Sequence, residues 1–196
     1  MALPGSCAAV HAGMEHASAW VARFAHLIPP GEVLDLACGA GRHSRLLAGQ
    51  GYSVLAVDRN AEALALAVGA GIQTQQADLE TENPGQDWPF AADRFAGIVV
   101  VNYLHRPLWT ALVGSLALNG ILIYETFALG NEQFGKPSNP DFLLRHGELL
   151  EIAHEHDLQV VAYEDGYVND PKPAMVQRIC AIKSRLRPTP ENLRLI

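Results

Sequence analysis

The sequence predicts an α/β domain built on a doubly wound, mostly parallel sheet with helices on both faces, and three stretches carry that prediction. The first is Val33-Leu-Asp-Leu-Ala-Cys-Gly-Ala-Gly-Arg-His-Ser44, where an apolar run of strand formers ends at Ala37, meets a glycine turn and gives way to a helical pattern. A strand that runs into such a turn and opens a helix is a cradle for a nucleotide-like ligand. Gly39 and Gly41 let the backbone come close, and the helix start offers free N–H groups. The second is Ser53-Val-Leu-Ala-Val57, a strand closed by Asp58; an acid at that place in such a unit can accept hydrogen bonds from both ribose hydroxyls. The third is Ile98-Val-Val-Val101, an uninterrupted apolar run expected of a strand buried on both faces.

Asp35, an acid inside the first strand, narrows the choice of ligand. Dinucleotide-binding turns seat a pyrophosphate on the helix N-terminus and carry a third glycine, which here is Ser44. An acid just before the turn would repel a pyrophosphate, whereas it suits a ligand with a positive end, such as an α-amino group or a sulfonium. The stretch resembles the first motif of class I S-adenosylmethionine (SAM) dependent methyltransferases, a strand ending hydrophobic-acid-hydrophobic followed by GxGxG. Leu34-Asp35-Leu36, Gly39 and Gly41 carry the match, and Arg42 stands where another glycine often sits. The alternative is an ordinary glycine turn with Asp35 as a buried helix cap.

The resemblance runs from the first strand through the last. It implies a three-layer, seven-stranded sheet of order 3-2-1-4-5-7-6 with the last strand antiparallel, SAM as methyl donor, S-adenosylhomocysteine (SAH) as product, and no metal. It assigns cofactor contacts to Asp35, Ala37, Gly39, Gly41, Asp58, Arg59, Asp78, Leu79 and Asn102. Within the family, the small size and the extended loop after Glu125-Thr-Phe127 are similar to the small-molecule group that includes tellurite-resistance and thiopurine-type enzymes.

The totals agree with one soluble domain: 196 residues, 49% hydrophobic, with fourteen basic against twenty-one acidic residues for a net charge of −7. That balance, without a lysine or arginine run, argues against a large nucleic-acid footprint. Cys7, Cys38 and Cys180 lack metal or disulfide spacing, which points to a reducing cytoplasm. No apolar run approaches membrane-spanning length, and a monomer or homodimer is expected.

Taken in order, residues 1–13 read as a loose tail, 14–184 as the single domain and 185–196 as a C-terminal tail. From Glu15, Ala17, Trp20, Val21, Phe24 and Ile28 follow helical spacing until Pro29-Pro30-Gly31 stops them. An added first helix often covers the cofactor in the family, which makes Trp20 and Arg23 candidate contacts; a core tryptophan and a solvated arginine are the alternative. Arg45 to Gln50 reads as helix with Gly51 as its C-cap, and Ala61 to Val68 as helix with Asn60 as its N-cap. Ile72 to Ala77 reads as a weaker strand ending in Asp78-Leu79, the pair that in the family closes on adenine.

Asn102-Tyr-Leu-His-Arg-Pro107 leaves the end of the fourth strand, where ligands of doubly wound sheets sit. Base N-methyltransferases carry (Asp/Asn)-Pro-Pro-aromatic there; Leu104-His105 in place of the prolines counts against that activity. His105 and Glu125 are the candidate general bases, His105 because it titrates near neutrality. Tyr103, Arg106, Phe127 and Phe134 are the candidate substrate contacts, with Arg106 suited to a bidentate grip on an anion. Leu108 to Ala117 reads as helix, and Ile121 to Tyr124 as the fifth strand after an Asn119-Gly120 turn. Residues 126–147 form a lid or substrate loop, with Phe142 as a further pocket candidate. Glu148 to His156 reads as helix, then Leu158 to Val168 and Ala174 to Ile182 as the closing strands.

The function expected is methyl transfer from SAM to a small-molecule acceptor: a soft nucleophile, an oxyanion or a small acid. The rivals are an RNA or protein methyltransferase working with a partner, a non-catalytic SAM-binding protein, and a nicotinamide dehydrogenase, the last disfavoured by Asp35 and Ser44.

Overall fold

The computed structural model describes residues 16–83 and 85–184. The two expected tails and the helix start at Glu15 lie outside the described residues. A seven-stranded sheet runs β3-β2-β1-β4-β5-β7-β6, the order that the resemblance implies. The strands are β1 (Glu32–Leu36), β2 (Ser53–Asp58), β3 (Ile72–Gln76), β4 (Phe95–Val101), β5 (Leu116–Phe127), β6 (Leu158–Val168) and β7 (Ala174–Lys183). β1 to β5 pair in parallel, while β7 lies antiparallel between β5 and β6.

The apolar run of β4 serves two cores at once. Ile98 and Val100 join Leu34, Leu36, Leu122 and Tyr124 beneath helices α4 (Trp109–Ser115) and α5 (Glu148–Glu155). Val99 and Val101 face the other way, onto Val33, Ile121 and Ile123 beneath α1 (Ala19–Phe24) and α2 (Arg42–Gly49). Period-two alternation on a strand covered on both sides explains why no polar residue interrupts it. Trp20 belongs to this second core: it is buried against Phe24, and its indole N–H donates to the Ile179 carbonyl at 3.3 Å. Arg23 lies outside against Glu164, which leaves a core tryptophan and a solvated arginine.

Several boundaries differ from the expectation. Helix α2 begins at Arg42 rather than Arg45, because Gly41 at φ +76° serves as its N-cap. Its position is tight: a Cβ on Gly41 would stand 2.6 Å from the Ala67 Cβ on α3 (Ala61–Ala67). β4 begins at Phe95 rather than Ile98, since Phe95 pairs with Leu116. α4 therefore stops at Ser115, and the Asn119-Gly120 pair becomes a bulge inside β5 with Asn119 at φ +64°.

Candidate active site

Ligands of doubly wound sheets bind beyond the C-terminal ends of the parallel strands, and two cavities open there in this protein. The smaller, about 260 Å³, lies over the ends of β1, β2, β3 and β4 and is lined by Leu36, Ala37, Val57, Asp58, Arg59, Ala77, Asp78, Leu79, Glu80, Asn102 and Tyr103. The larger, about 820 Å³, lies beyond β4, β5 and the start of β7. It is walled by residues 16–19 at the start of α1, by Arg42, by the loop at 136–142 and by the turn at 170–172. Asn102, at φ +59°, lines both.

The smaller cavity is organised by Asp58. One carboxylate oxygen accepts the Gly39 N–H at 2.8 Å and the other the Asn60 N–H at 2.9 Å, so the end of β2 fixes the glycine turn. Each oxygen keeps a second lone pair, which is what two vicinal hydroxyls require. Ala37 and Gly39 both sit at φ +54°, and a Cβ added to Gly39 would meet nothing within 4 Å, which leaves the turn bare on its outer side. Asp78 accepts the Glu80 N–H at 3.0 Å and stands beside the buried Leu79. Two carboxylates with apolar walls form an acceptor set suited to an adenosine moiety.

The floor of the larger cavity is a polar chain crossing the sheet. Glu125, buried at the end of β5, accepts the Ser18 hydroxyl at 2.6 Å and pairs with Arg178 of β7 at 3.3 Å. The Ser18 hydroxyl also accepts the Trp20 N–H and so caps α1, while the Ser18 N–H donates to His43 Nε2. Burial, with Arg42 alongside, pushes the His43 imidazole down to about 3, so it stays neutral and can accept that bond.

Residues 33–117 match the family model described as a methyltransferase domain. The sheet around that match has the class I methyltransferase fold. Solved structures agree on that fold. A SAM-dependent methyltransferase from Methanosarcina mazei is 16% identical over 81% of this chain and 96% of its own, with a TM-score of 0.63. TehB from Haemophilus influenzae is 22% identical over 83% of this chain and 61% of its own, with a TM-score of 0.65. A geranyl diphosphate C-methyltransferase from Streptomyces coelicolor is 15% identical over 84% of this chain and 79% of its own, with a TM-score of 0.62. No curated protein sequence matches this chain.

Against this methyltransferase frame, several expected contacts move. Asp35 is buried and lines neither cavity; its carboxylate accepts the Ser44 hydroxyl instead. Burial raises the Asp35 carboxyl to about 6, against the lowering effect of Ser44. Asp35 and the residue standing for the third glycine thus form one contact, which ties β1 to the first turn of α2. Tyr103 lines the smaller cavity and not the larger. His105 lines neither; its Nε2 is buried without a partner among the described residues.

Arg106 is taken up by structure. Its guanidinium pairs with Glu148 at 2.6 Å and donates to the carbonyls of Asp141 and Leu143, clamping the 128–147 loop to α5. Burial works against the Glu148 charge, but hydrogen bonds from Arg106 and the Arg145 N–H outweigh it and hold the carboxyl below its usual range. Phe127 and Phe142 line the larger cavity, whereas Phe134 lies outside it, half-exposed against Tyr167. The residues that sequence reading missed are Ser18, Lys136, Lys172 and Arg178. One signal was available for Arg178: Gln177-Arg178 interrupts an otherwise apolar strand, Ala174 to Ile182.

Proposed function

We propose that this methyltransferase transfers a methyl group from SAM to a small molecule held in the larger cavity. The observation that carries the reading is that two cavities share Asn102 as a lining residue: a recess of about 260 Å³ at the strand switch and a walled chamber of about 820 Å³. Chambers of roughly 300–1,000 Å³ are the size class of small-molecule sites. In this reading Asp58 holds the ribose, Asp78 and Leu79 border the adenine, and the glycine turn at Gly39 takes the amino-acid end. When bound, SAM supplies an electrophilic methyl on a sulfonium, whose neutral thioether is a good leaving group. The protein's share is to align the acceptor and exclude water, which can be worth up to roughly 10 kcal/mol. Glu125 then orients residues around the acceptor through Ser18 and Arg178.

Calorimetric titration of the full chain with SAM and SAH tests this. Both ligands bind the wild type, and Asp58→Ala loses most of the affinity. A folded sample that binds neither ligand overturns the reading.

A further inference from the structure

The walls of the larger cavity carry information that methyl transfer alone does not use. Their apolar surface comes from Phe127, Pro137, Phe142, Pro171 and Val176. Their charged groups are Arg42, Lys136, Lys172 and Arg178, set against Glu125 and Asp170. Cations thus outnumber carboxylates two to one in the chamber of a chain whose net charge is −7.

Arg178 and Glu125 offset each other on the floor at 3.3 Å. Lys136 and Lys172, among the described residues, take part in no ion pair. The Lys172 ammonium stands 5.7 Å from the centre of the Phe127 ring, so a cation and an aromatic wall meet at one spot. Excess positive charge around a cleft with low-dielectric walls concentrates anions. Apolar walls beside it favour a ligand that also removes hydrocarbon from water. A bare inorganic oxyanion would satisfy the charge and leave the phenylalanines without a partner.

We propose that the methyl acceptor is an organic acid with an apolar body, its anionic group drawn by Lys136 and Lys172 and its body against Phe127, Phe142 and Val176. The proposal rests on the methyl-transfer reading above and specifies its substrate class.

The test is binding to the full chain saturated with SAH. The probes are 3-phenylpropanoate and octanoate, each beside its uncharged amide, with phosphate and selenite as inorganic anions. Each acid binds at least tenfold more tightly than its amide, and added salt weakens the acid alone. Lys136→Gln/Lys172→Gln weakens the acids about fivefold while SAH and amide binding stay unchanged. Equal binding of acid and amide, preference for the inorganic anions, or no binding of either acid overturns the proposal. Failure of SAH to bind a folded sample is a separate outcome, which removes the methyl-transfer reading beneath it.

Discussion

The smaller cavity is assembled from segments close in sequence, each giving a residue at the end of its own strand, whereas the larger one joins segments at opposite ends of the chain. The contact that sets the first, Asp58 to the Gly39 N–H, spans 19 residues. Those that set the second span far more: Ser18 to Glu125 covers 107, and Trp20 to the Ile179 carbonyl covers 159. A consecutive βαβ unit places its strand ends side by side by right-handed crossover, so its site residues follow from local pattern. A chamber closed by the first helix, a long loop and an antiparallel last strand has no such local rule. The smaller cavity is therefore a property of the fold, and the larger a property of this chain.

Substitutions on each side sharpen that contrast. The largest effect is expected from Asp58→Ala, which removes charged acceptors for both hydroxyls and releases Gly39. A loss of about 3 kcal/mol or more in SAH binding follows from charge-assisted bonds of 1.5–3 kcal/mol each, read as over a hundredfold in calorimetry. Arg106→Leu comes next and acts on the 128–147 loop beside the larger cavity. It leaves the buried Glu148 with Arg145 alone, a loss of one partner that we expect to cost about 2 kcal/mol after discounting for the partly exposed arginine. Denaturant unfolding reads that loss, and limited proteolysis finds new cuts at 128–147, while SAH affinity changes less than threefold.

Asp35→Asn gives a smaller effect that depends on pH. The folded Asp35 carboxyl is raised to about 6, so its ionisation costs stability as pH rises from about 4 to 6. His43, lowered to about 3, works in the opposite sense, because the unfolded chain takes up a proton as pH falls below about 6.5 and the folded chain does not. The two slopes oppose each other in the wild type. Removing the acid leaves the histidine alone, so the variant gains stability more steeply between pH 4 and 6.5, and thermal melts across that range check it. The smallest effect belongs to Phe134→Ala, within about 0.5 kcal/mol on stability and without change in ligand binding, since its ring touches Tyr167 outside the cavity. Loss of acceptor binding in that variant would show that the loop rearranges over the site.

The sheet order agrees with what the resemblance implies, and Ala37, Asp58, Arg59, Asp78, Leu79 and Asn102 line the smaller cavity. A polar residue near a strand end need not line a cavity. Asp35 does not, because alternation along β1 turns its side chain toward α2, where Ser44 answers it. Arg106 does not, because Glu148, 42 residues on, claims its guanidinium first.

By itself, the sequence determined the fold class and the order of elements. Those depend on period-two burial, helix caps and glycine turns, which are local and repeat in pattern. Only the tertiary structure decided that Glu125 meets Ser18 and Arg178, that Arg106 is a clamp, and that Lys136 and Lys172 share one chamber with Phe127. Such pairings depend on how antiparallel β7 and the loop return to the sheet, and no spacing along the chain records a distance across it.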